Sequence, residues 1–249
     1  MKKLIISLAI ALLQFGSSAI AADSDTLTVR IKAMRCDDCA HKVMTALTKN
    51  SGVEDVQFNL ERRTASIIYN PDAVTPDTLC AILDATRRYK ASPYSPDEVI
   101  RRGIGFRIDD MHCKKCSDRI TGRLNEMQGI DSLAPHLDKH YIFVRYDANR
   151  TTKDSIRTAI NELGYTPVNY YTSDNVAFAY YNIKGKMPSQ EAIDEVLTIS
   201  AVEDVNVNTL RHTMAVTYFS KEISAERLHK AIRKAGIKAV VPPPHICKD

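Results

Sequence analysis

Two hexapeptides place thiols at the same spacing: Met34-Arg35-Cys36-Asp37-Asp38-Cys39 and Met111-His112-Cys113-Lys114-Lys115-Cys116. Each reads Met-x-Cys-x-x-Cys, follows an alternating apolar run and precedes a segment of helical apolar spacing. Cysteines at i and i+3 on a strand-to-helix turn can aim both sulfurs at one point. That suits one soft metal ion held by two thiolates, with Cu(I) ranked first and Hg(II), Zn(II) or Cd(II) after it. A structural zinc site wants four protein ligands and each turn supplies two, so the ion stays open to an incoming ligand. The second cysteine of each pair lies at the start of a helix, whose dipole stabilises a thiolate. The same pairs could close as disulfides in an oxidising compartment, or act as a thiol-disulfide redox centre. The recurring Met before each pair is unneeded for redox chemistry and favours the metal.

Other candidate donors are weaker. Met34 and Met111 continue the strand alternation inward and read as core filler rather than ligands. Cys80 sits at a helix edge and reads as a small hydrophobe. His245 and Cys247 in the tail form a lone His-x-Cys, a weak ligand pattern, and a Cys80–Cys247 disulfide stays open. His41, His136, His140, His212 and His229 share no ligand spacing and read as surface residues. Glu54-Asp55 and Glu203-Asp204 read as solvated turn charges. No nucleophile–base pair, phosphate loop or facing carboxylates occur, so an enzyme is not expected. The charges between the cysteines differ: Asp37-Asp38 in the first pair, Lys114-Lys115 in the second. Ammonium groups favour a thiolate and carboxylates disfavour it, which predicts the more acidic thiols at Cys113/Cys116.

The elements that position the turns repeat. Leu27, Val29 and Ile31 alternate before the first turn, Val43 and Leu47 share a helix face, Ala65, Ile67 and Tyr69 alternate again, and Leu79, Ile82 and Leu83 mark a second helix. The set recurs 77 positions on, from Ile104, Phe106 and Ile108 to Ile156, Ala159 and Ile160. It recurs again after a further 72, from Val176, Phe178 and Tyr180 to Leu228, Ala231 and Ile232. Period-2 alternation marks half-buried strands and 3–4 spacing marks amphipathic helices. Each unit reads β-α-β-β-α-β, so the predicted class is α+β, three tandem ferredoxin-like domains. In the third unit, counting back from Val202, the cysteine positions fall on Gly185 and Pro188, so no metal is expected there. Short polar or Pro-bearing linkers at 92–96 and 172–175 suggest three beads.

Met1-Lys2-Lys3, an apolar run from Leu4 to Phe15 and Ala19-Ile20-Ala21-Ala22 have the layout of a secretory signal peptide. The predicted division is signal peptide 1–22, domains at 24–92, 101–171 and 174–241, and a tail at 242–249. The expected location is periplasmic or secreted, with no membrane span. A net charge of +4 is too small to suggest a nucleic-acid partner.

Each unit resembles a heavy-metal-associated domain, the small βαββαβ module of copper chaperones, copper-ATPase N-terminal regions and the periplasmic mercury-binding protein. Met34–Cys39 and Met111–Cys116 match its Met-x-Cys-x-x-Cys loop; Gly52 to Pro71 and Leu79 to Tyr89 match its downstream pattern. The resemblance implies metal on Cys36, Cys39, Cys113 and Cys116, shielded by Tyr89 and Tyr165. The third unit departs from the family at its turn and has Ile237 at the tyrosine position. The expected function is an exported Cu(I) chaperone, buffer or scavenger, served by a metal-transporting membrane protein or another chaperone. The alternatives are a thiol-disulfide redox protein and an interaction or sensor module for a metal transporter.

Overall fold

The computed structural model describes residues 24–243. The expected signal peptide, and His245 and Cys247 of the tail, lie outside the described residues.

Domain 1 runs β1 (Asp25–Arg30), α1 (Asp37–Leu47), β2 (Val53–Asn59), β3 (Thr64–Tyr69), α2 (Pro76–Ala85) and β4 (Ser92–Pro93). Domain 2 runs β5 (Arg101–Arg107), α3 (Lys114–Asn125), β6 (Ile130–His136), β7 (Tyr141–Asp147), α4 (Lys153–Glu162) and β8 (Val168–Tyr170). Domain 3 runs β9 (Val176–Ile183), α5 (Gln190–Leu197), β10 (Val202–Asn208), β11 (Thr213–Phe219), α6 (Ala225–Lys234) and β12 (Ala239–Val240). Every sheet is antiparallel and ordered second, third, first, fourth strand. The predicted α+β, ferredoxin-like class is therefore present three times.

The alternation explains the cores. Ile31, Ala65 and Ile67 in domain 1, and Ile142 and Val144 in domain 2, point at the helices and are fully buried. Val43 and Leu47 of α1 and Leu79 and Leu83 of α2 meet them from the other side. Thr75 caps α2 by accepting the Thr78 N–H at 3.3 Å, with Pro76 at the first helical position, and Thr152 caps α4 in the same way. A bulge recurs at the start of the second strand of each sheet, beside Asp55, Ser132 and Asp204. A left-handed residue closes each central hairpin: Arg63, His140 and His212, at φ 57°, 48° and 55°. Its carbonyl accepts the N–H of Ile31, Ile108 or Ile183, which fixes the end of each first strand just before the following loop.

The described residues form two compact units, which divide between Pro93 and Tyr94. The sequence suggested beads, and within the second unit that expectation fails twice. Residues 94–100 fold onto domain 2: Ile100 is buried, its N–H donates to Asp147 Oδ1, and Tyr94 Oη donates to Asn149. Domain 3 packs on domain 2 through the sheet face that its own helices do not cover. Asp204, Asn206, Asn208, Thr213 and Thr217 on that face are all buried. Asp204, read from sequence as a solvated charge, accepts two bonds from Arg157 of α4, at 2.7 and 3.0 Å, and one from the Asn169 N–H. Asn206 donates to the Pro167 carbonyl and Thr217 to the Asn169 carbonyl, both at 2.7 Å. Among the described residues no helix is long and apolar enough to cross a membrane.

Candidate metal centres

Cys36 is the N-cap of α1 and Cys113 that of α3, both extended, at φ −152° and −144°. Neither side chain caps its helix. The sulfurs are left to face their partners: Cys36 Sγ lies 2.6 Å from Cys39 Sγ, and Cys113 Sγ 3.0 Å from Cys116 Sγ. All four are free thiols. The structure thus brings together the members of each predicted pair on the first turn of a helix. Among the described residues no cluster of three or more His, Cys, Asp or Glu is arranged to hold a metal, so each site offers two protein donors.

The two thiols of a pair are not equivalent. Cys36 is exposed and Cys39 is buried, at 6% exposure. The hydrogen bond from Cys36, helped by backbone donation from Arg35, lowers the Cys39 thiol to about 7. That same bond holds the Cys36 thiol up. One proton therefore leaves the pair readily and the second leaves later. Cys116 is also lowered, by its bond with Cys113 and by donation from Tyr165, although burial pulls the other way. The lysines of the second loop do not drive this. Lys114 is turned to Asp118, at 2.7 Å. The causes that lower Cys116 are hydrogen bonds, from Cys113, Tyr165 and the backbone, and not the charges of Lys114 and Lys115, whereas Asp38 does help to raise Cys36 in the first loop.

Met34 and Met111 are fully buried and belong to the hydrophobic cores of their domains. Tyr89 and Tyr165 stand over the pairs, at 5% and 8% exposure. The Tyr89 hydroxyl is buried without a well-formed hydrogen bond and faces Cys39. Burial pushes Tyr165 up to about 12, so its hydroxyl stays protonated and can donate to a Cys116 thiolate. Cys80 is half-buried, and burial raises its thiol, which fits the small-hydrophobe reading.

His140 was not legible as part of the site. Its Nδ1 sits 2.9 Å from the Met111 carbonyl, which can only accept, so Nδ1 carries the proton. Its ring meets His112 edge-on at 5.5 Å. The signal was its place four residues after His136 at the hairpin corner, but nothing in the sequence shows that the hairpin touches the loop.

Domain 3 departs at the corresponding place. Three residues fewer separate Ile183 from Val202 than separate Ile31 from Val53 or Ile108 from Ile130. The difference falls in the helix: α5 has 8 residues, against 11 in α1 and 12 in α3. Its N-cap is Ser189, whose hydroxyl accepts the Ala192 N–H. Counting to Gly185 and Pro188 is thereby corrected, because the helical turn that would carry the pair is missing.

The family model for the heavy-metal-associated domain matches residues 28–88 and 106–166; the third sheet lies outside both matches. The rat copper-transporting ATPase 1 is 22% identical over 273 residues, covering 87% of this chain but only 18% of the relative. The N-terminal soluble domains of Bacillus subtilis CopA are 21% identical, covering 61% of this chain and 98% of that one, with a TM-score of 0.27. Oxidized MerP from Ralstonia metallidurans CH34 is 25% identical over 29% of this chain and 99% of its own, with a TM-score of 0.27.

Proposed function

We propose that the chain, which the heavy-metal-associated domain model matches over residues 28–88 and 106–166, is a member of that family and carries Cu(I) as cargo on Cys36/Cys39 and on Cys113/Cys116. The observation that carries this reading is a pair of free sulfurs 2.6 and 3.0 Å apart on the first turn of a helix, beside a buried tyrosine and with no third protein donor among the described residues. Two soft thiolates suit Cu(I) and leave it accessible to exchange. Hg(II), Zn(II) and Cd(II) share the donor preference and rank after it. The copper-transporting ATPases among the relatives support copper over these, although the chain spans about a fifth of their length. An exported chaperone, buffer or scavenger is the role that fits, with the apolar run from Leu4 to Phe15 supporting export to the periplasm or beyond. A metal-transporting membrane protein or a second chaperone would be the exchange partner. Domain 3 is best read as a copy that has lost its site. Anaerobic titration of the reduced protein with Cu(I) against a chromophoric chelator should saturate at two ions; saturation at none overturns the reading.

A thiol-disulfide reading draws on the same close approach of the free sulfurs, at 2.6 and 3.0 Å. It is separated by the same titration, since a redox protein would show no chelator-resistant metal. The sensor or adaptor reading meets an obstacle: the outer sheet face of domain 3 is occupied by domain 2. A docking partner would have to use another surface.

A further inference from the structure

One buried polar arrangement is more than two-thiol metal binding requires. The outer sheet face of domain 3 closes on both segments that frame the second thiol pair. On the loop side, Asp110 directly precedes Met111. Its Oδ2 accepts from Tyr180 Oη of β9 at 3.2 Å and from Thr166 Oγ1 at 3.3 Å, and its Oδ1 accepts the Thr166 N–H at 3.3 Å. Thr166 Oγ1 lies 2.6 Å from Thr213 Oγ1 of β11. The Thr166 proton is directed to Asp110, so Thr213 donates into the same chain. On the tyrosine side, Asn208 Nδ2 donates to the Tyr165 carbonyl at 2.6 Å and to the Asn161 carbonyl at 2.9 Å. Its Oδ1 accepts the N–H groups of Leu210 and Arg211. The Arg211 side chain lies over Gly164, at φ +90°, where an added Cβ would come within 3.2 Å of it. Thr166, Asn208 and Thr213 are 0%, 2% and 6% exposed. Bonds so shielded from water are stronger than surface ones, and their loss leaves groups unsatisfied. Domain 1 has Ala33 and the exposed Lys90 where domain 2 has Asp110 and Thr166.

We infer that domain 3 is the positioning element of the second metal site: Tyr180, Thr213 and Asn208 hold the Asp110–Cys116 loop and Tyr165 in the arrangement that receives the ion. This rests on the reading of Cys113/Cys116 as a metal pair. A domain without thiols of its own then still serves metal binding, by preorganising its neighbour's site.

The test uses the full chain in two backgrounds, Cys36→Ser/Cys39→Ser to isolate the second site and Cys113→Ser/Cys116→Ser to isolate the first. In each, Tyr180→Phe/Thr213→Val removes two hydroxyls and little volume. Chelator competition should show Cu(I) affinity at the second site falling about tenfold, the range for loss of supporting hydrogen bonds. The first site should stay unchanged, and Thr213→Ser should retain the parent affinity. An unchanged second site in a folded variant overturns the inference, as does an equal loss at both sites. If the double variant unfolds, Tyr180→Phe and Thr213→Val taken singly carry the same measurement with smaller shifts expected. If the parent binds no Cu(I), the metal reading fails, and iodoacetamide still decides the positioning role. Faster alkylation of Cys113 and Cys116 in the variant, with Cys36 and Cys39 unaltered, supports it; equal rates overturn it.

Discussion

The first and second thiol sites share a hexapeptide, a helix start and a tyrosine, and they differ in what stands behind them. At the first site the loop is preceded by Ala33, and exposed Lys90 lies in the segment between α2 and β4. At the second, the matching positions carry Asp110 and Thr166, both tied into domain 3. The sulfurs nevertheless titrate in the same sense, with the second thiol of each pair lowered. The direction of the thiol shifts follows from the turn and the tyrosine beside it, which both sites have; the buried polar contacts to domain 3 belong to the second site's surroundings.

Removing a thiol breaks the comparison most completely. Cys39→Ser and Cys116→Ser should each reduce Cu(I) bound per chain from two ions to one, read by metal analysis after anaerobic desalting. Next comes Arg157→Ala. It leaves Asp204 as an unpaired buried carboxylate, since the pair is only 16% and 12% exposed. Breaking a buried pair from one side costs about 3–5 kcal/mol. Denaturant unfolding should show that loss in the unit spanning 94–249, with the transition of 1–93 unmoved.

The pH dependence sharpens the contrast at smaller amplitude. Cys39, lowered from 9.0 to about 7, is a thiolate above that pH and a thiol below it. Its folded pKa is depressed, so the native state favours the thiolate fully above pH 9 and loses that preference as pH falls through 7. Alkylation of Cys39 in a Cys113→Ser/Cys116→Ser chain should have its midpoint near pH 7. A midpoint near 9 would show that the turn does not act as described. Tyr89→Phe should raise it modestly, because the tyrosine contributes less than Cys36 and Arg35. The smallest effect belongs to Lys114→Ala/Lys115→Ala. Lys114 is 81% exposed and already paired with Asp118, and exposed pairs of this kind contribute only about 0–1 kcal/mol. The alkylation profile of Cys116 should barely move.

The strands, the helices and both thiol pairs could be read from the chain, because each follows from a local rule, while the tyrosines beside the pairs came only from the family resemblance. Ile31, Ala65 and Ile67 alternate, Thr75-Pro76 caps a helix, and two hexapeptides recur. The docking of domain 3 could not be read. Asn206, Asn208, Thr213 and Thr217 are polar at alternate positions, which is also how a solvent-facing strand reads. Only the tertiary structure shows that another domain supplies their partners. Asp204 misled for the same reason: a carboxylate beside a glutamate at a strand start looks solvated until Arg157 is placed against it. Adjacency in sequence suggested that Lys114 acts on the thiols; the helix carries it toward Asp118, four positions on.

The late start of α5 bears on how readily a metal pair could be built into the third domain. Ser189→Cys with Ala192→Cys would restore a Cys-x-x-Cys at a helix start, yet one turn, about 5.4 Å, displaced along the helix relative to its core contacts. Ile237 would still occupy the tyrosine position. Two point substitutions therefore do not reproduce the geometry of the first two turns: α5 has 8 residues where α1 has 11 and α3 has 12, so a matching thiol pair would need added backbone as well as cysteines.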